Sequence, residues 1–147
     1  MKKILLAGFS ILIGLQLFAY PFPAVNEQLL KNFKESFPHA EKVTWDESTD
    51  HYTVSFVEQN ILNRITYEKN GDFASSFRYY TERSLPYYLI NVVKNKYPRQ
   101  KIYGVTEITA PSGILYYIKL EGPKYWLTIA LNSEGDSSIQ DKYRKAQ

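Results

Sequence analysis

The sequence predicts an α+β fold in which two helices pack on one face of a long, curved antiparallel sheet. Two segments carry apolar residues at helical spacing, and each ends at an aromatic residue followed by proline. Eight further segments alternate apolar and polar residues, as half-buried strands do. One helix and then four strands occur in this order twice along the chain. The sequence therefore predicts two tandem helix-plus-four-strand repeats that share one sheet.

The first 19 residues have the organisation of a secretory signal peptide. Met1–Lys3 is a basic start, Ile4–Phe18 is mostly apolar, and Ala19 is a small residue at the cleavage position. The apolar stretch is shorter than the roughly 20 residues that span a bilayer, and helix-breaking prolines follow it. We expect cleavage after Ala19, with cleavage after Ala24 as the alternative. Residues 20–24 are then a linker.

The cleaved chain is nearly neutral and has no cysteine. The whole sequence has 18 Lys+Arg and 15 Asp+Glu, and removal of Lys2 and Lys3 lowers the net charge from +3 to +1. This balance argues against a nucleic-acid partner, which needs a basic surface. Without Cys there is no disulfide, no thiolate nucleophile and no lipidated anchor. We expect a periplasmic or secreted protein with no stable membrane anchor after signal cleavage.

Residues 25–80 form the first predicted repeat. Asn26 is a suitable N-cap for its helix, and Pro38 ends the helix because the residue before a proline avoids helical angles. The apolar face of this helix consists of Leu29, Leu30, Phe33 and Phe37. The strands that follow are predicted at Lys42–Asp46, His51–Val57, Ile61–Lys69 and Asp72–Tyr80. Asn70-Gly71 between two alternating segments predicts a hairpin.

Residues 81–147 form the second predicted repeat. Ser84 is predicted to cap its helix, with Leu85-Pro86 in the first turn, where a missing backbone N–H costs nothing. Its apolar stripe consists of Leu85, Leu89, Val92 and Val93. The strands are predicted at Lys101–Thr109, Ile114–Glu121, Tyr125–Asn132 and Ser137–Tyr143.

The alternation of the strands sorts their side chains onto two faces of the sheet. One set is apolar enough to receive the helices, so the opposite face of an antiparallel sheet stays open to water. Exposed Trp and Tyr beside Arg or Lys are the residue types enriched at binding hot spots. The alternative is that these residues only stabilise the sheet as cross-strand pairs. As a cluster they favour partner binding at the helix-free face, through Leu62, Arg64, Tyr117, Lys119 and Trp126.

Several segments of the chain carry a resemblance to a known family. They are Phe37-Pro38 with Lys42–Trp45, Tyr52–Phe56, Tyr67–Asp72, and the later Tyr97-Pro98 with Glu134–Asp136. In these segments, and over essentially all of the cleaved chain, the sequence resembles the PepSY-like exported proteins of Bacteroidetes. These are related in fold to the secreted beta-lactamase inhibitor protein, whose concave sheet face grips the enzyme. The resemblance implies binding or inhibition of another envelope protein. No motif carries the inhibitor's contact residues over, so inhibition of beta-lactamase itself is not implied.

Residues suited to catalysis or metal binding are few. The two histidines, His39 and His51, are predicted at loop edges, and no G-x-S-x-G nucleophile motif is present. We expect no enzymatic activity and no cofactor, although a mechanism that uses carboxylates alone stays open. Asp46, Glu47 and Asp50 surround a predicted turn and supply the oxygen ligands that Ca²⁺ prefers. The alternative function is therefore a small-ligand or Ca²⁺-responsive envelope sensor. Acidic turn residues, however, usually hydrogen-bond their own backbone.

Overall fold

The structure is a computed structural model and describes residues 25–146. Helix α1 (Glu27–Ser36) precedes four strands, β1 (Glu41–Glu47), β2 (His51–Glu58), β3 (Ile61–Glu68) and β4 (Phe73–Tyr80). A short 3-10 helix (Glu82–Ser84) leads into α2 (Tyr87–Lys96). The last four strands are β5 (Lys101–Ala110), β6 (Gly113–Glu121), β7 (Tyr125–Asn132) and β8 (Ser137–Arg144). The signal peptide predicted for residues 1–19 and the linker predicted for 20–24 lie outside the described residues.

All eight strands form one open sheet in the order β1 to β8, and every neighbouring pair is antiparallel. The predicted α+β class is therefore confirmed, with one antiparallel sheet and two helices. Each predicted strand boundary lies within one residue of the observed one. None of the helices within residues 25–146 is long and apolar enough to cross a bilayer.

Helix α1 begins at the predicted cap. The side-chain oxygen of Asn26 accepts hydrogen bonds from the backbone N–H groups of Gln28 at 2.8 Å and Leu29 at 3.4 Å. These bonds satisfy donors that the first helical turn leaves without partners. Phe33 is buried and packs edge-on against Phe56 of β2, with 5.1 Å between the ring centroids. This contact anchors α1 in a core cluster that consists of Phe33, Val54, Phe56 and Ile65.

Helix α2 does not begin where the sequence predicts. Ser84 lies in the 3-10 helix, and the N-cap of α2 is Pro86, which has no side-chain capping bond. Leu85 adopts an extended conformation (φ −76°, ψ 138°) and is only 4% exposed. A residue before proline is kept out of the helical region by the proline ring, so the helix starts after Pro86. The predicted cap is wrong because the rule that ends α1 at Pro38 also excludes a helical Leu85.

Helix α2 packs on the second core cluster. Leu89 and Val93 are 0% and 2% exposed, and they are part of the apolar stripe that the sequence predicts. The fully buried aliphatic residues of β6 and β7 belong to the same cluster, namely Ile118, Leu120, Ile129 and Leu131. This cluster is the larger of the two and extends from Tyr80 at the end of β4.

A polar group lies where β4 meets β5, and it includes Tyr80 of the second core cluster. Arg78 is opposite Glu107 in the strand register, and its Nη1 lies 3.1 Å from Oε1 of that carboxylate. The hydroxyl of Tyr80 donates to the other oxygen of Glu107. Burial, and then the hydrogen bond and charge of Glu107, raise the pKa of Tyr80 far above its usual value. Burial is also the largest cause of the raised pKa of Tyr116, which is opposite Glu107 on β6.

Candidate binding surface on the sheet

The five predicted binding residues lie on the side of the sheet that faces away from the core residues of their own strands. In β3, the exposed residues Leu62 and Arg64 alternate with buried ones. In β6 and β7, each of the other three sits next to a residue that is fully or almost fully buried. We call this side the outer face, defined by Leu62, Arg64, Tyr117, Lys119 and Trp126.

On the outer face, Leu62 and Tyr117 belong to one row that crosses four strands. Leu62 is opposite Tyr79, Tyr79 is opposite Thr106, and Thr106 is opposite Tyr117. Since neighbouring strands are about 4.8 Å apart, the two ends of this row are about 14 Å apart. Leu62 is 48% exposed and Tyr79 is 38% exposed, so the row presents apolar surface to solvent.

Arg64 lies two residues along β3 from Leu62, near the same row. Its Nε donates a 3.4 Å hydrogen bond to the hydroxyl of Ser55, and its cross-strand neighbour on β4 is Phe77. The guanidinium group is exposed and is not part of any ion pair formed within residues 25–146. Leu62 and Arg64 share the outer face with the other three predicted residues. They are well separated from Trp126, because β3 and β7 are four positions apart in the sheet.

Trp126 is the centre of an aromatic and cationic cluster. The ammonium groups of Lys119 and Lys145 lie 5.0 Å and 4.9 Å from the centroids of its ring system. Tyr103 meets the same indole edge-on, with 5.0 Å between centroids and 82° between ring planes. Lys145 also forms a 2.6 Å ion pair with Glu121, which is opposite Trp126 in the strand register. We call these residues the Trp126 cluster: Tyr103, Lys119, Glu121, Trp126 and Lys145.

The structure thus brings only Lys119 and Trp126 of the five predicted residues into direct contact. An ammonium group this close to an indole is attracted by the negative face of the ring, a contact worth about 0.5–1 kcal/mol at an exposed site. The contact holds the long lysine side chain close to the indole, so its charge is displayed beside an aromatic surface. Trp126 itself is half-buried, because its neighbours cover part of the indole.

Three members of the cluster, Tyr103, Glu121 and Lys145, were missed by the sequence analysis. Alternation along β6 places Glu121 on the same face as Lys119, so a local signal for it was present. Strict alternation would place Tyr103 on the same side as the buried Val105. A register shift between Ile102 and Gly104 interrupts the alternation, and Tyr103 is 61% exposed in contact with Trp126. Lys145 follows β8, beyond any strand pattern. Its backbone N–H donates to the carbonyl of Lys124 at 2.9 Å, which holds the residue beside the β6–β7 turn.

The acidic residues predicted for Ca²⁺ lie on β1 and in the turn that follows it. Asp46 and Glu47 are consecutive in β1, so their side chains point to opposite faces of the sheet. Glu47 accepts a 2.6 Å ion pair from Lys69, and Asp50 lies in the following turn. Within residues 25–146 there is no group of three or more His, Asp or Glu side chains positioned to hold a metal ion. The calcium-sensor alternative stays a prediction.

Solved structures with a similar fold include proteins from species of Bacteroides. A BLIP-like protein from Bacteroides fragilis has a TM-score of 0.61 at 10% identity, over 83% of this chain and 89% of that one. A Bacteroides eggerthii protein, provisionally described as periplasmic, has a TM-score of 0.59 at 14% identity, over 82% and 88%. A DUF2874 family protein from Bacteroides uniformis has a TM-score of 0.57 at 13% identity, over 81% and 88%.

These likenesses show the fold alone. The chain has a BLIP-like fold, as the sequence resemblance implied, while its assignment to the PepSY-like proteins stays a prediction. No protein-family model and no curated protein matches the chain.

Proposed function

We propose that this chain is an exported, non-enzymatic protein of the PepSY-like type that binds another envelope or secreted protein through its outer face. The observation that carries the proposal is the Trp126 cluster, in which an indole, a phenol and two ammonium groups meet on a solvent-facing sheet. Trp and Tyr are among the residues that supply most of the binding energy at protein interfaces, and the two lysines add positive charge beside them. The signal-like sequence of residues 1–19 and the periplasmic description of one structural neighbour support export.

We also infer that the two helix-plus-four-strand units are tandem repeats, with both helices on the same side of a curved sheet. The strand register supports this. Phe56, which contacts α1, is aligned through Asn63, Arg78 and Glu107 with Tyr116, a member of the core cluster under α2. Residues directly opposite in an antiparallel pair point to the same face. The outer face is then the side without helices.

Binding through this face needs no chemistry by the chain itself. If the partner is an enzyme, a large sheet surface laid over its active site inhibits it by steric exclusion of substrate. The apolar row from Leu62 to Tyr117 and the Trp126 cluster then act as two contact regions on one rigid surface. Because all of these residues except Lys145 lie on strands, little backbone freedom is lost when the partner docks.

The test is capture of the partner by the chain lacking residues 1–24, from the periplasmic fraction of the native organism. Mass spectrometry identifies the captured protein, and the purified pair is then measured directly. We expect Trp126→Ala and Arg64→Ala together to abolish binding while the protein stays folded, with Tm lowered only by the few degrees that the lost contacts of the indole account for. Lys31→Ala, on the exposed side of α1, is the matched control and should bind normally. Full binding by the double variant would refute the outer face as the docking surface.

A further inference from the structure

The charges of the chain are unevenly divided between its two halves. Residues 25–80 contain six Lys or Arg against nine Asp or Glu, whereas residues 81–147 contain ten against six. The near-neutral total therefore hides an acidic first half and a basic second half. A partner that meets the second half experiences a local positive field, although the whole molecule is almost uncharged.

Several cationic side chains lie around the Trp126 cluster. A cavity of about 260 Å³ borders the cluster, and Glu121 and Lys145 belong to both. Arg99 and Lys101 also line this cavity, together with Gly122 and Pro123. Glu121, the carboxylate of this cavity, is already paired with Lys145. None of the ion pairs within residues 25–146 uses Arg99, Lys101 or Lys119. Three cationic groups are therefore available to a ligand beside exposed aromatic surface.

We infer that the partner presents a short acidic segment to the corner of the sheet formed by the Trp126 cluster and this cavity. The segment carries Asp or Glu carboxylates beside one apolar side chain. The carboxylates pair with Lys119 on the sheet and with Arg99 and Lys101 at the cavity, while the apolar side chain packs on Tyr103 and Trp126. This inference rests on the proposed function and adds the chemistry of the partner. Charge complementarity of this kind sets the specificity and the rate of association.

A protein segment fits this corner better than a single-stranded nucleic acid does. Nucleic acids bind sheets by stacking successive bases on open aromatic rings along a continuous basic groove. Two ammonium groups and Tyr103 already contact the indole of Trp126, so the two rings offer room beside them for one side chain but no row of open rings for successive bases. The acidic first half of the chain repels a long polyanion that lies along the whole sheet. Its repulsion is screened over about 8 Å, so a short acidic segment bound beside Trp126 does not experience it.

Fluorescence of Trp126 provides a direct test. The chain has two tryptophans, and Trp45→Phe leaves Trp126 as the sole indole. The probe is a synthetic peptide with Asp residues on both sides of one Leu, compared with the same peptide carrying Lys and with a thymidine oligonucleotide. We expect a saturable change with the Asp peptide that weakens as salt is added. If Trp45→Phe does not fold, the chain lacking residues 1–24 is labelled with fluorotryptophan instead. Binding is then followed by ¹⁹F NMR of the Trp126 signal.

Charge variants decide whether the lysines hold the peptide. Lys101→Ala with Lys119→Ala should weaken binding by about fivefold, as expected for two partly exposed ion pairs. Lys31→Ala with Lys34→Ala on α1 removes the same charge elsewhere and should change nothing. The inference is overturned if the Asp peptide gives no saturable change, or if the Lys peptide or the oligonucleotide binds with the same affinity. It is also overturned if Lys101→Ala with Lys119→Ala leaves the affinity for the Asp peptide unchanged.

The same variants separate this inference from the proposed function. A captured partner whose affinity is unchanged with Lys101→Ala/Lys119→Ala, but which is lost with Trp126→Ala/Arg64→Ala, contradicts the acidic segment and leaves the outer face as the docking surface. A partner that binds all of these variants with unchanged affinity contradicts both. Weaker binding by the lysine pair, together with loss of binding by the folded Trp126→Ala/Arg64→Ala variant, supports both.

Discussion

The hydroxyl of Tyr80 donates a 2.5 Å hydrogen bond to Oε2 of Glu107, and Oε1 of the same carboxylate is paired with Arg78. Tyr80 and Arg78 lie on β4 and Glu107 on β5, so the three residues join the first four strands to the last four. Glu107 is only 8% exposed, and a buried carboxylate is tolerated when its oxygens have donors. This group therefore fixes the pairing of the two halves of the sheet.

Tyr80→Phe should destabilise the protein by about 1–3 kcal/mol, the usual cost of leaving a buried acceptor without its donor. The ring and its packing in the second core cluster are retained, so the loss reports the hydroxyl. Urea unfolding followed by circular dichroism measures it. Tyr79→Phe removes a hydroxyl from the exposed neighbour and should cost about 0.5 kcal/mol or less. Equal effects of the two substitutions would show that the bond to Glu107 contributes nothing particular.

Stability should fall at alkaline pH because folded tyrosines hold their protons more tightly than unfolded ones. Burial raises the pKa of Tyr67, Tyr80 and Tyr116 above the ordinary value of 10.0. Above about pH 10 the unfolded chain loses protons that the folded chain keeps, so the free energy of unfolding decreases with pH. Below that pH these tyrosines are protonated in both the folded and the unfolded chain, so they add no pH dependence to the free energy of unfolding.

Urea unfolding measured from about pH 8 to about pH 11 checks this dependence. Tyr80→Phe should flatten the decline, since the most strongly shifted group is removed. Tyr125→Phe, at the exposed start of β7, removes a tyrosine hydroxyl away from Glu107 and is the control for the substitution itself. A flat profile in the unaltered protein would mean that the buried tyrosines titrate as they do in the unfolded chain.

The sheet was predictable from the sequence because its signals are local. Alternation identifies half-buried strands, and turn residues such as Asn70-Gly71 separate them, so the strand boundaries are correct within one residue. The outer face follows from the same alternation, which is why all five predicted binding residues point away from the core residues of their strands. Their role as a binding site stays a prediction.

The features that were missed depend on tertiary register. Tyr103 reaches Trp126 only because a bulge breaks the alternation of β5, and no local pattern shows this. The pairing of Arg78 with Glu107 requires that β4 and β5 be aligned, although a proline-bounded helix separates them along the chain. The start of α2 was misplaced because Ser84 is a strong cap by residue type, whereas Pro86 restricts the residue before it.

Alanine at the N-terminal ends of the two helices should have unequal effects on stability. Asn26→Ala removes an oxygen that accepts two backbone bonds and should cost about 0.5–2 kcal/mol. Ser84→Ala removes a hydroxyl that caps nothing, and its effect should stay within about 0.5 kcal/mol. Thermal unfolding of both variants measures the difference. A larger loss for Ser84→Ala would restore Ser84 as the cap that residue type alone suggested.

Gly71 and Gly135 occupy equivalent turns, between β3 and β4 and between β7 and β8, and both have φ of +94°. Alanine at either position adopts a backbone conformation that L residues avoid, so both substitutions share a cost of about 1–3 kcal/mol. The surroundings differ. A Cβ at Gly71 meets nothing within 4 Å, whereas a Cβ at Gly135 lies 3.3 Å from Cγ2 of Val92 on α2.

Gly135→Ala should therefore be more destabilising than Gly71→Ala, by up to about 1 kcal/mol, because Val92 must shift to accept the added methyl group. Urea unfolding of the two variants measures the difference, in which the shared backbone cost cancels. Gly135→Ala combined with Val92→Ala removes the close contact and should bring the extra loss back toward zero, once the cost of Val92→Ala alone is subtracted. Equal losses for the two glycine variants would mean that α2 does not press on the β7–β8 turn.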